Sequence, residues 1–320
     1  MAIPRRNVTK LIKSKPTAIL TSDWHIRPDV PECRTDDFQA VQWRKVQFVL
    51  DLAKGHDVPI VLGGDISGNS PQWPNWLLEK FSGLVRASRV RILAIPGQHD
   101  LPGHNWDRWR ESGYGVLVST GIIVRFYHEA EISGYLGYGI PFGRIGDGDQ
   151  IYALSKIQAD LLVLHVLTLE SRKMEWEQNQ WTADGLLDSA PNVRCILTGD
   201  NHKPFVRRLD GRLLVNPGSL MRTKSDQIDY RPRVYLWHAE ENEVVPVYIP
   251  IEQGVVSHEA VEKRKDFDER QVAYVERLKK GYEIGLSYED NLKDSFTADP
   301  VEVTVVERVW DAVDEGRVMK

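Results

Sequence analysis

Short β-rich runs separated by segments of helical length predict an α/β protein, with a layered core of buried strands flanked by helices. Three observations carry this. The runs TAILTSD (17–23), PIVLGGD (59–65), VRILAIPG (90–97), GIIVRFYH (121–128), DLLVLHV (160–166) and VRCILTGD (193–200) are largely continuous in apolar character, as strands covered on both faces are. Segments with helical spacing of apolar residues alternate with several of them. At 320 residues, 42% of them hydrophobic and 27% charged, the chain can bury a full core and lies far from the disordered class.

In chain order, residues 36–55 read as a helix that begins with Asp and ends at Gly55. Phe38, Val41, Lys45, Phe48, Val49 and Leu52 fall on one face, which Lys45 interrupts. Residues 74–87, 104–111 and 150–158 read as further helices. After residue 200 the pattern changes to two hairpins, PFVRRLDGRLLVNPGS and RVYLWHAEENEVVPVYIP, with turns at Asp210-Gly211 and around residues 240–242. From about residue 254 a charged helix, 256–282, carries only a thin stripe of Phe267, Val272, Val275 and Leu278, too little to be stable alone. PVEVTVVERVW (300–310) alternates like a strand. This places a main domain at 1–252 and a C-terminal helical/β appendage at 253–320.

Composition excludes several classes. No stretch approaches the ~18 apolar residues of a membrane span, and the first residues lack the apolar core of a signal peptide, so a cytoplasmic address is expected. Cys33 and Cys195 have no motif spacing and read as buried free thiols, in keeping with a reducing compartment. A net charge of -5 argues against nucleic-acid binding by bulk electrostatics. Local basic stretches remain, among them Arg5, Arg6, Lys10, Lys13 and Lys15, FVRRLDGR and LMRTK, each of which reads first as solvated surface.

Five apolar runs end in ligand-type residues: AILTSDWH, PIVLGGD, RILAIPGQHD, LLVLH and CILTGDNH. Open α/β sheets gather ligands at the carboxyl ends of their strands, so five such ends can converge on one crevice. Singly, a GGD is a turn and a strand-end His a packing residue. Their order is the informative feature. Asp23-x-His25, Gly64-Asp65, Gly97-Gln98-His99-Asp100, a lone His165 and Gly199-Asp200-Asn201-His202 together resemble the calcineurin-like metallophosphoesterase signature, over about residues 17–220.

The resemblance implies a sandwich of two mixed β-sheets flanked by helices, and a two-metal phosphoesterase. It assigns Asp23, His25 and His202 to the first metal, Asp65 to both, and Gln98, His165 and Asp200 to the second. His99 would face the scissile phosphate as the leaving-group acid, with Asp100 orienting its ring. Two cations about 3.5–4 Å apart can activate water, clamp the phosphate and stabilise the leaving oxygen. Asp and Gln oxygens with His nitrogens suit Mn²⁺, Fe or Zn²⁺. The family has Asn where this chain has Gln98, which keeps the amide oxygen but sets it one methylene further out, and His where this chain has Asp200, which swaps a nitrogen for a hard anionic oxygen and moves the second site toward Mn²⁺ or Mg²⁺ and away from Zn²⁺.

The segment NPGSLMR (216–222) resembles the Pro-Gly-Ser segment of SbcD-type repair nucleases and their phage relatives, and a short core with a small charged C-terminal region also fits them. That family implies a Mn²⁺-dependent DNA exonuclease or endonuclease, with DNA and an SbcC-type ATPase subunit as partners and 256–282 as the docking helix. A homodimer is compatible with it. Trp24, Arg27, His104, Asn105 and Arg108 flank the motifs, either as strand contacts or as ordinary surface and core. The alternatives are a phosphomonoesterase or cyclic-nucleotide phosphodiesterase acting on a small substrate, and a metal-binding scaffold without catalysis. Intact His99 and Asp100 weigh against the last.

Overall fold

Successive side chains of each strand enter different cores, which is why the strand runs lack polar alternation. In β1 (Ala18–Thr21) Ile19 faces one side and Leu20 the other. The same division holds for β2 (Ile60–Leu62) and β3 (Ile92–Ala94). The computed structural model describes residues 12–68, 70–145, 149–171, 180–257, 259, 292–293, 295–297 and 301–318. Within them the chain divides into two compact units, 1–256 and 257–320.

The first unit holds two six-stranded mixed sheets. One joins β1, β2, β3 and β4 (Val124–Arg125) in parallel, with the hairpin of β13 (Arg233–His238) and β14 (Glu243–Tyr248) added antiparallel to β1. The other has a parallel centre of β6 (Tyr135–Ile140), β7 (Ala159–Leu164), β10 (Val193–Thr198) and β12 (Arg212–Asn216), edged by the antiparallel strands β5 (His128–Ile132) and β11 (Phe205–Leu209). Strands β8 (Leu167–Leu169) and β9 (Gln180–Thr182) form a separate pair.

Between the two large sheets lie Leu20, Val61, Leu93, Leu161, Val163, Leu197, Val215 and Trp237. Helices α1 (Phe38–His56) and α2 (Asn75–Ser88) cover the outer face of the first sheet through Phe38, Val46, Val49, Leu77 and Phe81. On the second sheet Leu154 of α4 (Asp149–Lys156), with Leu186 and Leu187 of α5 (Ala183–Ser189), packs on Leu162, Leu164 and Ile196. Helix α3 (Gly113–Ser119) is capped by Ser112, whose side chain accepts from the Gly115 N–H. Both cysteines are buried and free. Among the described residues no helix is long and apolar enough to cross a membrane.

The structure differs from the sequence expectations in four places. The expected 104–111 helix is two 3₁₀ turns, Pro102–His104 and Trp106–Glu111, because Gly103 has φ +61° and Asn105 is extended. Residues 253–256 belong with the first unit: Arg34 bridges to Val256, and Thr35 N–H donates to the Val255 carbonyl. Residues 303–310 of PVEVTVVERVW are helical, within α6 (Val303–Val318), since the half-buried Val305, Val306, Val309, Trp310 and Val313 recur at helical and not strand spacing. The buried stripe of α1 runs through Phe38, Gln42, Lys45, Val46, Val49 and Ala53, so Lys45 is no interruption. The proposed docking helix 256–282 lies almost wholly outside the described residues.

Lys45 is 3% exposed, and its Nζ donates to the Leu220 carbonyl at 2.9 Å. Burial, reinforced by Arg34 and Arg222 and opposed by Asp36, holds its ammonium down to about 7. Between that value and the ordinary lysine pKa of about 10.4 the unfolded chain binds the extra proton, so this group makes stability rise with pH across that window. In urea melts, the stability of the wild type relative to Lys45→Met should therefore climb from pH 7 to pH 10; a pH-independent difference would contradict the buried position.

Candidate metal centre

The carboxyl ends of β1, β2 and β3 in one sheet and of β7 and β10 in the other open onto the same place, and one to four residues beyond each strand stands a ligand-type residue: Asp23, Asp65, Gln98, His165 and Asp200. The backbone there is unusual. Asp23, His25, Asp65 and Asp200 adopt left-handed φ values of 53°, 48°, 52° and 74°, a region that costs a non-glycine residue roughly 1–2 kcal/mol. Such conformations persist only where surrounding structure over-determines them, and they cluster at functional sites.

Close approach between the loops requires bare backbone. Gly64 has φ +102°, and a Cβ on it would overlap the His165 ring. A Cβ on Gly97 would overlap the Asp65 carboxylate. With those spaces open, His165 Nδ1 reaches the Gly63 carbonyl at 2.6 Å and leaves Nε2 facing Asp65 Oδ2 at 3.5 Å. His25 is held in the same manner: Nδ1 lies 3.3 Å from the Ser67 carbonyl, and Nε2 faces His202 Nε2 at 2.9 Å. A ring whose Nδ1–H donates to a carbonyl presents Nε2 as a metal ligand.

Three triads have ligand atoms within 4.8 Å of one another: Asp23, His25 and His202; His25, Asp65 and His99; Asp23, Asp65 and His165. Asp23 Oδ2, Asp65 Oδ2, His165 Nε2 and Gln98 Oε1 are buried without any hydrogen-bond partner. Buried polar atoms nearly always have one, and those of Asp23, Asp65 and His165 lie close enough together to ligate one cation. Gln98 and Asp200 are in direct contact, with Gln98 Nε2 donating to Asp200 Oδ1 at 2.6 Å. The amide nitrogen is thereby engaged and the amide oxygen left over.

Electrostatics point the same way. Burial holds His25 down to about 3 and His202 down to about 4, so both rings are neutral donors at pH 7. Burial pushes Asp23 up to about 8. Burial also opposes charge on His165, but the Asp65 carboxylate outweighs it and lifts the ring to about 10. The buried negative charge is thus balanced by protons, and a divalent cation entering the centre displaces them.

The remaining sequence candidates divide. His99 stands at the mouth of a 480 Å³ cavity that Asp200, His202, Lys203, Lys224 and Tyr230 also line, and its side chain is 39% exposed. Its backbone N–H donates to Asp65 Oδ1 at 2.9 Å. Asp100 does not orient the His99 ring: its carboxylate accepts from the backbone N–H groups of Ile66, Ser67 and Gly97, at 3.2, 2.8 and 2.9 Å, and so ties the β2 loop to the β3 loop. Trp24 is a core residue, fully buried against Phe81, with its indole N–H donating to Thr21 Oγ1. Arg27 pairs with Asp29 and Arg108 with Glu111. Exposed Asn105 caps the turn that follows it, and exposed His104 meets Phe142 edge-on. Sequence reasoning missed Lys203 and Lys224 as lining residues; the basic run LMRTK was the available signal for Lys224.

No protein-family model matches the chain. Over 236 residues it is 27% identical to the DNA double-strand break repair protein Mre11 of Haloferax volcanii, covering 71% of this chain. The chain spans about half the length of that relative, 48%. Among solved structures it is similar to a hypothetical protein from Thermus thermophilus (14% identical, TM-score 0.44, covering 72% of this chain and 98% of that one). It is also similar to an archaeal phosphodiesterase (12%, TM-score 0.38, covering 72% and 99%).

Because Asp23 holds a proton when no cation is bound, replacing it by Asn should do little harm to the metal-free fold. In EDTA, Asp23→Asn should melt within about 2 °C of the wild type or above it, while the rise in Tm on adding Mn²⁺ should fall by more than half. A large loss of stability in EDTA with the Mn²⁺ response intact would remove Asp23 from the ligand set.

Proposed function

We infer that this chain, a calcineurin-like metallophosphoesterase related to a DNA double-strand break repair protein, hydrolyses phosphodiester bonds in DNA with two divalent ions. The observation that carries this reading is the set of orphaned buried ligand atoms on Asp23, Asp65, Gln98 and His165, gathered from both sheets beside an exposed histidine. Asp23, His25 and His202 would hold one ion, Gln98, His165 and Asp200 the other, and Asp65 both. Bound there, two such ions polarise the phosphate and lower the pKa of water.

The chain's own residues supply the rest. His99 stands at the exposed edge of the cluster, its Nε2 3.9 Å from Asp65 Oδ2, where its ring N–H can donate to the departing oxygen, and the bond from its backbone to Asp65 fixes it relative to the ligands. A metal-binding scaffold has no use for a half-exposed imidazole at that position. Lys203 and Lys224 line the same cavity and supply positive charge for phosphates beside the scissile one. They favour a polyanionic strand over a small monoester. The Gln98–Asp200 pair presents hard oxygens where a second imidazole would favour zinc, which supports Mn²⁺ or Mg²⁺ as the second ion. An SbcC-type ATPase remains the partner implied by the SbcD-type resemblance, as does a cytoplasmic site of action.

The test is Mn²⁺-dependent degradation of end-labelled duplex and single-stranded DNA, beside a chromogenic phosphomonoester and diester. DNA should be cleaved, and His99→Ala should lower the rate by about 10²–10⁴-fold, the usual contribution of a general acid, with bound metal unchanged. Turnover of the monoester alone would defeat the nuclease reading. Asp200→Ala should reduce bound metal from two equivalents to about one, measured by elemental analysis after desalting; unchanged stoichiometry would mean the second site is held by other residues.

A further inference from the structure

A second concentration of buried charge lies apart from the metal centre, beneath α1. Arg34, Lys45 and Arg222 are 7%, 3% and 2% exposed, and all three line one cavity of 290 Å³, a volume at the small end of ligand pockets, about 300–1,000 Å³. Asp36, one of two lining carboxylates, accepts from Arg34 Nε at 2.8 Å and Nη2 at 2.5 Å. Glu252 also lines the cavity, but its carboxylate is 58% exposed and pairs with the exposed Arg44.

Lys45 and Arg222 are therefore left with backbone carbonyls alone. Lys45 donates one bond, to Leu220, of the three its ammonium can make. Arg222 donates to the Ile228 carbonyl from Nη1 at 3.1 Å and to the Glu252 carbonyl from Nη2 at 2.6 Å, while its buried Nε has no partner. Carbonyl dipoles soften but do not neutralise these groups, and the Asp36 carboxylate offsets only part of the excess of buried cationic side chains, which is costly in such a setting. The other walls are apolar: Val41 and Phe48 from α1, and Ile249 and Ile251 from the irregular segment that follows β14.

We propose that this cavity binds a small organic anion with an apolar body, of the aromatic or branched-chain carboxylate class, its acid group at the cationic end and its hydrocarbon against Phe48 and Ile251. The depressed ammonium of Lys45 fits this arrangement, since an arriving carboxylate restores its charge. Charge and shape select together: inorganic phosphate leaves the apolar wall uncovered, and a neutral isostere leaves the cations unpaired.

Titration calorimetry on the full chain at pH 7 tests the proposal with phenylacetate, phenylacetamide, acetate and inorganic phosphate as probes. Phenylacetate should bind at one site, at least tenfold more tightly than the other three. Phe48→Trp or Ile251→Trp, which fill the cavity and leave the cations in place, should weaken it at least tenfold with an unchanged circular-dichroism spectrum. No heat with phenylacetate, equal affinity for the amide or for phosphate, or binding indifferent to both folded tryptophan variants would overturn it.

Discussion

The contact on which the centre depends is the hydrogen bond from the His165 ring to the Gly63 carbonyl. His165 follows a strand of one sheet and Gly63 a strand of the other, so this 2.6 Å bond joins the two sheets at their carboxyl ends. It also selects the ring nitrogen that faces Asp65. An imidazole donating through Nδ1 to a fixed carbonyl has no freedom to turn Nε2 elsewhere, which is how outer contacts orient metal ligands. The empty Cβ position at Gly64 is a condition of this bond, because any side chain there would occupy the place of the ring. Fold and site are thus one problem: the sheets meet closely only where glycine allows it, and the ligands are delivered only where the sheets meet.

A centre of this kind works against the fold that carries it. Four candidate ligands sit in left-handed backbone, two carboxylates are fully buried, and several of their atoms lack partners. Each feature lowers stability, and none would be retained for packing. Three apolar layers offset them: one between the sheets and one beneath the helices on either side. Asp100 adds a local correction. With three backbone N–H groups on one buried carboxylate, it fastens the loop bearing Asp65 to the loop bearing Gln98 and His99. Its place in the Gly-Gln-His-Asp run is thereby explained by loop geometry, without any contact to the histidine beside it.

What was legible in the sequence followed from periodicity and order. Strands buried on both faces write themselves as continuous apolar runs, and ligand-type residues within four positions of the ends of five of them marked where the strands open onto a site. The losses have equally physical causes. Lys45 reads as a flaw in an apolar stripe because sequence does not reveal that a carbonyl, that of Leu220, waits opposite it. Trp24, placed between two candidate ligands, looks available for stacking until its neighbours in α2 bury it. Residues 300–310 alternate by accident of composition, and β-branched side chains carry no strand signal strong enough to override helical spacing of the half-buried positions. Lys203 was out of reach, and Lys224 was visible only as part of a basic run, because a cavity rim is assembled from loops distant in the chain.

The two departures from the metallophosphoesterase pattern, Gln98 and Asp200, turn out to be neighbours in space. A glutamine carries its amide one methylene further than an asparagine does, and an aspartate reaches less far than a histidine. The longer side chain and the shorter one meet at 2.6 Å, so each substitution compensates the reach of the other. The hydrogen bond has a direction: the amide nitrogen donates to the carboxylate, which turns Oε1 away and leaves it as a buried acceptor with nothing to accept. A carboxylate bonded in this way shares part of its charge with the amide dipole and would be a somewhat weaker ligand for a cation, while the amide oxygen would be a better oriented one. The donor set on that side is therefore a coupled pair, and changing either residue alone would disturb both oxygens at once.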